Sequence, residues 1–181
     1  MLTATKTFTV QEYLEQERSS NERLEYHYGE IILIPGESRI SNKIIRNCNI
    51  TLYNLLKNKK VEVYDHDVKL EIEELECYFY PDIVITKELE KENDPYCVQF
   101  PFLIIEVVSD SDKIHKQHHY LKMPSLQMII YISHREMGVD VYRKQNNNEW
   151  LVKSYDGVNE VIEIQGLEIS LSLKEIYEGV L

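Results

Sequence analysis

The residue with the clearest chemical potential is Glu106, which interrupts an apolar run from Leu103 to Val108. A run of this kind predicts a central strand that is covered on both faces. An ionised carboxylate is costly in such a strand unless a cation or a hydrogen-bond donor meets it. Taken alone, Glu106 also fits a strand-end side chain that points to solvent or pairs with a nearby lysine.

A second carboxylate, Asp82, stands at the start of another predicted strand, Ile83-Val84-Ile85. Pro81 is compatible with this position because proline is tolerated at the first residue of a strand. Two acids on neighbouring strands can share a divalent cation, and Mg²⁺ often takes one or two carboxylates together with waters and a substrate phosphate. The pair therefore predicts metal-assisted phosphate chemistry, with two unrelated strand-end acids as the alternative.

The most basic stretch of the chain follows Glu106, because residues 113–122 contain three lysines and three histidines. A helix over 111–122 could bring Lys116 back over the strand end that carries Glu106. An ammonium group there would neutralise developing charge or orient an attacking water. The alternative is a solvated helix face. His115 and His119 are four residues apart and could bind Zn²⁺ together, but no third ligand of matching spacing is evident.

Hydrophobic periodicity predicts the elements that must position these residues. The capping-box spacing of Thr9 and Glu12 predicts a helix over 10–18, and apolar spacings of three and four predict a second helix over 40–56. A strand or hairpin is expected over 24–34 and a half-exposed strand over 61–72. The other expected elements are strands at 83–85, 102–108, 128–132, 139–142, 150–155 and 161–164 and a closing helix at 173–178.

Length and composition bound the fold class. A chain of 181 residues, 43% of them hydrophobic, can bury one continuous core without disulfides or structural metal, so we expect a single domain over 1–181. The order of elements predicts an α/β fold with a central mixed sheet flanked by helices and a β-rich C-terminal part. Three widely spaced cysteines suit a reducing cytoplasm, and no segment approaches the ~20 apolar residues of a membrane span.

The charge balance disfavours some functions. Twenty basic and 31 acidic residues give a net charge of -11, which repels polyanions unless basic groups gather in one place. The glycines form neither a G-x-x-x-x-G-K phosphate loop nor a G-x-G-x-x-G fingerprint, and no G-x-S-x-G occurs. Nucleotide binding through these loops and serine-elbow hydrolysis therefore have no support.

Several segments together resemble a known family. They are Arg23-Leu24-Glu25-Tyr26 with Gly29-Glu30, Tyr80-Pro81-Asp82-Ile83-Val84, Ile105-Glu106-Val107-Val108-Ser109, and Asp112 with Lys116 and Tyr120. In this combination the chain resembles, over nearly its whole length, the bacterial restriction-endonuclease-like proteins of the PD-(D/E)xK nuclease superfamily. The resemblance implies a restriction-endonuclease-like sheet and a nuclease site.

The resemblance also implies which residues form that site. Asp82, Glu106 and the carbonyl of Val107 would bind Mg²⁺, with Mn²⁺ as a possible substitute, and Glu25 would complete the acidic site. The simple superfamily pattern has a lysine two residues after the acid, where this chain has Val108. The resemblance assigns that role to Lys116 instead, whose flexible four-carbon stem gives it reach.

The sequence thus predicts a Mg²⁺-dependent DNA endonuclease with catalytic residues Asp82, Glu106, Lys116 and Glu25. Cutting both strands of a duplex usually needs two sites, so a homodimer is expected, through the β-rich C-terminal half. The alternative is a catalytically inactive member that keeps the fold as a DNA-binding or protein-interaction module. A zinc-binding regulatory protein that uses His115 and His119 is a third hypothesis.

Overall fold

The computed structural model describes residues 7–108 and 116–180. The helices are α1 (Val10–Ser19), α2 (Arg39–Leu56), α3 (described over 116–120) and α4 (Leu173–Ile176). The strands are β1 (Leu24–His27), β2 (Glu30–Leu33), β3 (Glu62–Asp65), β4 (Lys69–Ile72), β5 (Cys77–Phe79), β6 (Ile83–Thr86), β7 (Cys97–Val98), β8 (Pro101–Val108), β9 (Met128–Ser133), β10 (Val139–Lys144), β11 (Trp150–Tyr155), β12 (Val161–Ile164) and β13 (Ile169–Ser172). None of these helices is long and apolar enough to span a membrane.

Side-chain caps fix where the first two helices begin. Thr9 and Glu12 form the predicted capping box, in which the Glu12 N–H donates to Thr9 Oγ1 and the Thr9 N–H donates to Glu12 Oε2. Ser38 caps α2 through a hydrogen bond from the Ser41 N–H. Both helices occupy the ranges that periodicity predicts, within two residues at each end.

One strand prediction is wrong. The segment 61–72, expected as a single half-exposed strand, is divided between β3 and β4, which lie in different sheets. His66 has a positive φ of 27° at the division, and the Val68 N–H closes the turn on the Asp65 carbonyl. The alternation of apolar and charged residues along 61–72 is imperfect because the chain turns within this segment.

The molecule is layered around a mixed six-stranded sheet with the order β11-β10-β9-β8-β6-β3. Helices α2 and α4 pack on one face of this sheet together with the hairpin β12–β13. The other face packs against a five-stranded sheet of order β2-β1-β5-β4-β7. Helix α1 covers the outer side of the five-stranded sheet through Tyr13. The predicted mixed sheet flanked by helices is confirmed, and the five-stranded second sheet adds a layer to it.

Strand directions bring the two predicted acids to one edge of the central sheet. β8 runs parallel to β9 and antiparallel to β6. The end of β8, the end of β9 and the start of β6 therefore meet at the same edge. Along β8, Leu103 and Ile105 face α2 whereas Ile104 faces the five-stranded sheet. Glu106 shares the side of Ile104 because side chains alternate along a strand.

Two isoleucines of α2 test how far burial against the central sheet determines stability. Ile44 is 0% exposed and Ile50 is 56% exposed. Ile44→Ala should lower the free energy of unfolding by about 2–5 kcal/mol because it leaves a cavity in the core. Ile50→Ala makes the same chemical change on the same helix and should alter stability by no more than about 0.5 kcal/mol. Urea denaturation measures the free energy of unfolding of both variants. Equal losses of stability would contradict the packing of the Ile44 face of α2 on the central sheet.

Candidate active site

Asp82 and Glu106 are both buried, with 7% and 5% of their surface exposed. The backbone N–H of Val107 donates a 2.6 Å hydrogen bond to Asp82 Oδ2. The hydroxyl of Tyr120, on α3, donates a 2.6 Å hydrogen bond to Glu106 Oε1. Each carboxylate thus has one neutral donor directly on it, and the two carboxylates lie close enough to perturb each other's ionisation.

Lys116 supplies the positive charge of the site. Its Nζ lies 2.6 Å from Glu25 Oε1 and 3.9 Å from Glu106 Oε1. Lys116 and Tyr120 are four residues apart on α3, so they share one helix face, and both reach the same oxygen of Glu106. Lys116 lies at the end of β8 as predicted, on the part of the predicted helix that the structure describes, 116–120.

Glu25 reaches the site from the other sheet. Leu24 and Tyr26 of β1 pack toward α1, so Glu25 points the opposite way, into the space between the sheets. Its Oε1 accepts a 2.8 Å hydrogen bond from the Tyr80 N–H in addition to the contact with Lys116. The Nε2 of His27 lies 3.4 Å from Glu25 Oε2. Glu25 therefore holds the lysine through Oε1 and contacts the His27 imidazole through Oε2.

Burial and neighbouring charge set the ionisation of these groups. Burial, with a further contribution from the Glu106 charge, raises the pKa of Asp82 well above its ordinary value. Burial also raises the pKa of Glu106, although Lys116 and Tyr120 oppose it. Burial alone would lower the pKa of Lys116, but the charges of Glu106 and Glu25 outweigh it and the pKa is raised. Lys116 is therefore a cation at neutral pH.

The ionisation of Glu25 differs from that of the other two acids. Burial would raise its pKa, but the hydrogen bond from His27 and the charge and hydrogen bond of Lys116 outweigh burial, so the pKa is lowered. Glu25 thus remains ionised beside the lysine, while Asp82 and Glu106 hold charge only at a cost. The negative charge that neighbouring groups do not fully offset is therefore that of the Asp82–Glu106 pair.

An open cavity of about 280 Å³ gives access to this pair. Asp82, Glu106 and Lys116 line it together with further polar side chains that the sequence did not predict as site residues. These are Arg23, Glu37, Ser38, Ser41, Tyr80, Tyr131 and His134. The cavity therefore lies where the ends of β8 and β9 meet the start of β6.

The donor set fits a cation such as Mg²⁺. Two buried carboxylates with raised pKa values offer hard oxygen ligands and gain from a nearby positive charge. Within residues 7–108 and 116–180, no group of three or more His, Cys, Asp or Glu side chains is arranged to hold a metal ion. Mg²⁺ tolerates such a sparse set because it keeps several waters. Asp82 and Glu106 would hold the ion.

The metal-binding and catalytic roles predicted from the sequence stay predictions. The carbonyl of Val107 remains a predicted ligand, since the contact found for Val107 is the donation of its N–H to Asp82. Asp112 and His115 lie outside the described residues. The zinc hypothesis therefore stays a prediction, and its second residue, His119, is buried against Phe79.

The sequence did not reveal the roles of Tyr80, Tyr120 and His27 in orienting the acids. The Tyr80 contact is made by a backbone N–H, which every residue except proline offers, so no residue type indicates it. Tyr120 stands four residues after Lys116, and helical spacing could have indicated that both reach one acid. His27 stands two residues after Glu25, which on a strand places both side chains on one face.

A mixed sheet that ends in two buried carboxylates beside a lysine belongs to the restriction-endonuclease-like class of proteins. The chain belongs to the Uma2 family, described as "Putative restriction endonuclease", which it matches over residues 10–174. The predicted family resemblance is thereby confirmed.

Relatives and a solved structure agree with this assignment. The chain is 34% identical over 175 residues to the uncharacterized protein sll1609 of Synechocystis sp. (strain ATCC 27184 / PCC 6803 / Kazusa), covering 93% of this chain and 99% of that protein. It is 27% identical over 173 residues to slr1290 of the same organism, covering 93% and 90%. A crystal structure of "a putative nuclease belonging to DUF820" from Anabaena variabilis ATCC 29413 superposes with a TM-score of 0.78 at 20% identity. That superposition covers 96% of this chain and 99% of the other, and it shows that the two share a fold.

The raised pKa values predict how stability depends on pH in a metal-free buffer. Between the ordinary and the raised pKa of Asp82, the folded chain binds more protons than the unfolded chain, so the free energy of unfolding falls as pH rises through that window. Asp82→Asn removes the ionisable group but keeps an oxygen for the Val107 N–H. The variant should therefore be more stable than the wild type at pH 7 in EDTA, because it carries no buried charge at this position.

Denaturation at several pH values checks this prediction, with Asp67→Asn as the matched control. Asp67 is exposed, so its substitution should leave the pH profile of stability unchanged. A loss of stability in Asp82→Asn at pH 7 would mean that the buried charge is already fully compensated by the chain.

Proposed function

We propose that the chain is a divalent-metal-dependent endonuclease that hydrolyses phosphodiester bonds in DNA. The observation that supports this most directly is the burial of Asp82 beside Glu106 in an open cleft, with the Lys116 ammonium 3.9 Å from Glu106 Oε1. Membership of the restriction-endonuclease family supports the reaction class. Mg²⁺ is the proposed cofactor, with Mn²⁺ as a substitute.

The proposed mechanism assigns a separate task to each side chain. Asp82 and Glu106 present carboxylate oxygens to the cation, and the hydrogen bonds from Val107 and Tyr120 fix their orientation. A divalent cation held there would polarise the scissile phosphate and acidify a water molecule. The chain supplies this geometry before substrate arrives, which lowers the reorganisation required during reaction.

Lys116 acts in this proposal as a fixed positive charge. Its raised pKa keeps the ammonium protonated, so Lys116 donates hydrogen bonds and does not accept a proton from water. Glu25 restrains the ammonium through one hydrogen bond, which leaves its other N–H groups to orient the attacking water or the phosphate. We propose that Glu25 is a lysine-positioning residue, since both of its oxygens already have partners.

DNA is the proposed substrate because a phosphodiester is the group that this arrangement of charges recognises. The net charge of -11 works against binding, and Arg23 and Lys116 in the cleft would offset it locally together with the cation. Cutting both strands requires two sites, so we propose that the working form is a homodimer in the cytoplasm. In a plasmid assay, a dimer with two active sites should produce linear molecules early, whereas a single site should accumulate nicked circles.

The same net charge favours a second candidate function. An inactive member of the family could keep the fold as a DNA-binding or protein-interaction module. A strongly acidic surface weakens non-specific DNA binding at physiological salt, so it favours the protein-interaction form of this alternative. The two functions differ in one measurable property, which is turnover that requires a divalent cation.

Nicking and linearisation of supercoiled plasmid test the proposed nuclease. The wild type should cut with Mg²⁺ or Mn²⁺ and not with EDTA. Asp82→Asn, Glu106→Gln and Lys116→Met should each reduce the rate by roughly 10²–10³-fold, because each removes a charge preorganised for the reaction. Lys57→Met, which changes net charge equally at an exposed position after α2, should cut like the wild type.

Cutting that survives Asp82→Asn would reject the proposed site. A wild type that binds Mn²⁺ through Asp82 and Glu106 but cuts neither plasmid nor duplex oligonucleotides would favour the inactive module.

Glu25→Gln separates lysine positioning from metal binding. The variant keeps an oxygen for the Tyr80 N–H but loses the charge that restrains Lys116. We expect cleavage to fall by about tenfold or more while the calorimetric affinity for Mn²⁺ stays within about twofold of the wild type. Loss of Mn²⁺ affinity in Glu25→Gln would instead identify Glu25 as a member of the metal site, as the family resemblance suggests.

A further inference from the structure

His134 stands at the edge of the central sheet where the predicted site residues meet. It follows β9 directly, and β9 runs parallel to β8 with Ser133 opposite Val108. Asp82 reaches the same edge from β6, on the other side of β8. His134 and Asp82 therefore flank the end of the strand that carries Glu106.

The turn that carries His134 is held rigidly. The Ser133 N–H donates to the Gly138 carbonyl at 2.9 Å, and Ser133 Oγ accepts from two backbone N–H groups within the turn. The hydroxyl of Tyr177, after α4, accepts from the Gly138 N–H at 3.1 Å and lies 2.8 Å from both the Ser133 and the Gly138 carbonyl oxygens. These bonds fix the backbone on both sides of the histidine.

The imidazole of His134 has unused hydrogen-bonding capacity in the cleft. It is half-buried and lines the same cavity as Asp82, Glu106 and Lys116. Its Nδ1 is buried and has no hydrogen-bond partner among the described residues. A buried polar atom without a partner costs free energy, and a ligand in the cavity that His134 lines would recover this cost if the imidazole turns toward it.

We propose that His134 is a substrate-contacting residue that donates a hydrogen bond to a phosphodiester oxygen of the bound DNA. The contact lies on the β9 side of Glu106, whereas Asp82 lies on the β6 side. An imidazole N–H is a suitable donor for an anionic oxygen, and a charge-assisted bond of this kind is stronger than a neutral one. This proposal rests on the proposed nuclease function, since it names how that site holds its substrate.

Cleavage kinetics of His134→Ala and His134→Gln provide the first test. His134→Ala should lower kcat/KM for a duplex oligonucleotide by about ten- to hundredfold, the effect of losing one hydrogen bond to a charged group. His134→Gln keeps an N–H donor and should recover part of the loss. Mn²⁺ affinity should be unchanged in both variants, because His134 contacts substrate and not the metal.

His66→Asn is the matched control. His66 is also half-buried with an unpartnered Nδ1, but it does not line the cleft. Asparagine tolerates the positive φ at this position, so the backbone should remain in place. The control should cut like the wild type, and a loss as large as that of His134→Ala would mean that the effect comes from buried imidazoles in general.

A binding measurement decides the proposal without turnover. The protein is titrated with a DNA duplex in Ca²⁺, and the imidazole resonances are followed by NMR. The His134 resonances should shift on binding while those of His66 do not. Unchanged His134 resonances in the DNA-bound protein, or equal DNA affinity and cleavage in His134→Ala and the wild type, would overturn the proposal.

The two proposals fail in distinguishable ways. If the His134 resonances shift on DNA binding but the wild type never cuts DNA, the proposed nuclease activity is wrong and the proposed substrate contact stands. If the wild type and His134→Ala cut DNA equally well, the proposed His134 contact is wrong and the proposed nuclease activity stands. If the protein binds no DNA, both are wrong.

Discussion

The burial of Asp82 beside Glu106 imposes a free-energy cost that the surrounding elements offset only in part. Each carboxylate receives one short hydrogen bond from a neutral donor, and the nearest ammonium is 3.9 Å from Glu106. Both pKa values remain raised despite these contacts. The chain thus holds two acids where their charge is unfavourable, and the proposed divalent cation would recover part of that cost. A less charged site would be more stable without metal but would bind the proposed cation less tightly.

The two sheets must pack together before the site exists. Glu25 comes from the five-stranded sheet, Glu106 from the six-stranded sheet, and α3 lies between them with Lys116 and Tyr120. Tyr120 also belongs to the core between the sheets, where it packs edge-on against Phe79. The residue that orients Glu106 therefore also holds the layers together. A change in the packing of the sheets would displace the lysine and its two acids relative to one another.

The site residues that the sequence predicted are charged residues that break or border an apolar strand pattern. Glu106 was visible because it interrupts an apolar strand, and Asp82 because it precedes another. The helix predicted after Glu106 placed Lys116 near that acid, and the family resemblance gave it the role of the lysine expected two residues after the acid, where this chain has Val108. The division of 61–72 between two sheets, and the contacts of Tyr80 and Tyr177, depend on pairings between segments distant in sequence. Local periodicity carries no information about such pairings, which tertiary packing decides.

The lysine of the site comes from helix α3 and not from strand β8, and this changes which side chains can occupy the end of β8. A lysine at position 108 would share a strand face with Glu106 and would place its charged group in a core that Val108 now packs against. On α3, Lys116 approaches Glu106 from outside the strand, and the next helical turn contributes Tyr120 to the same carboxylate oxygen. One short helix thus provides both the charge and the donor that orient the acid. Val108 instead packs against the core on the same side of β8 as Glu106, and it pairs with Ser133 of β9 directly before the turn that bears His134.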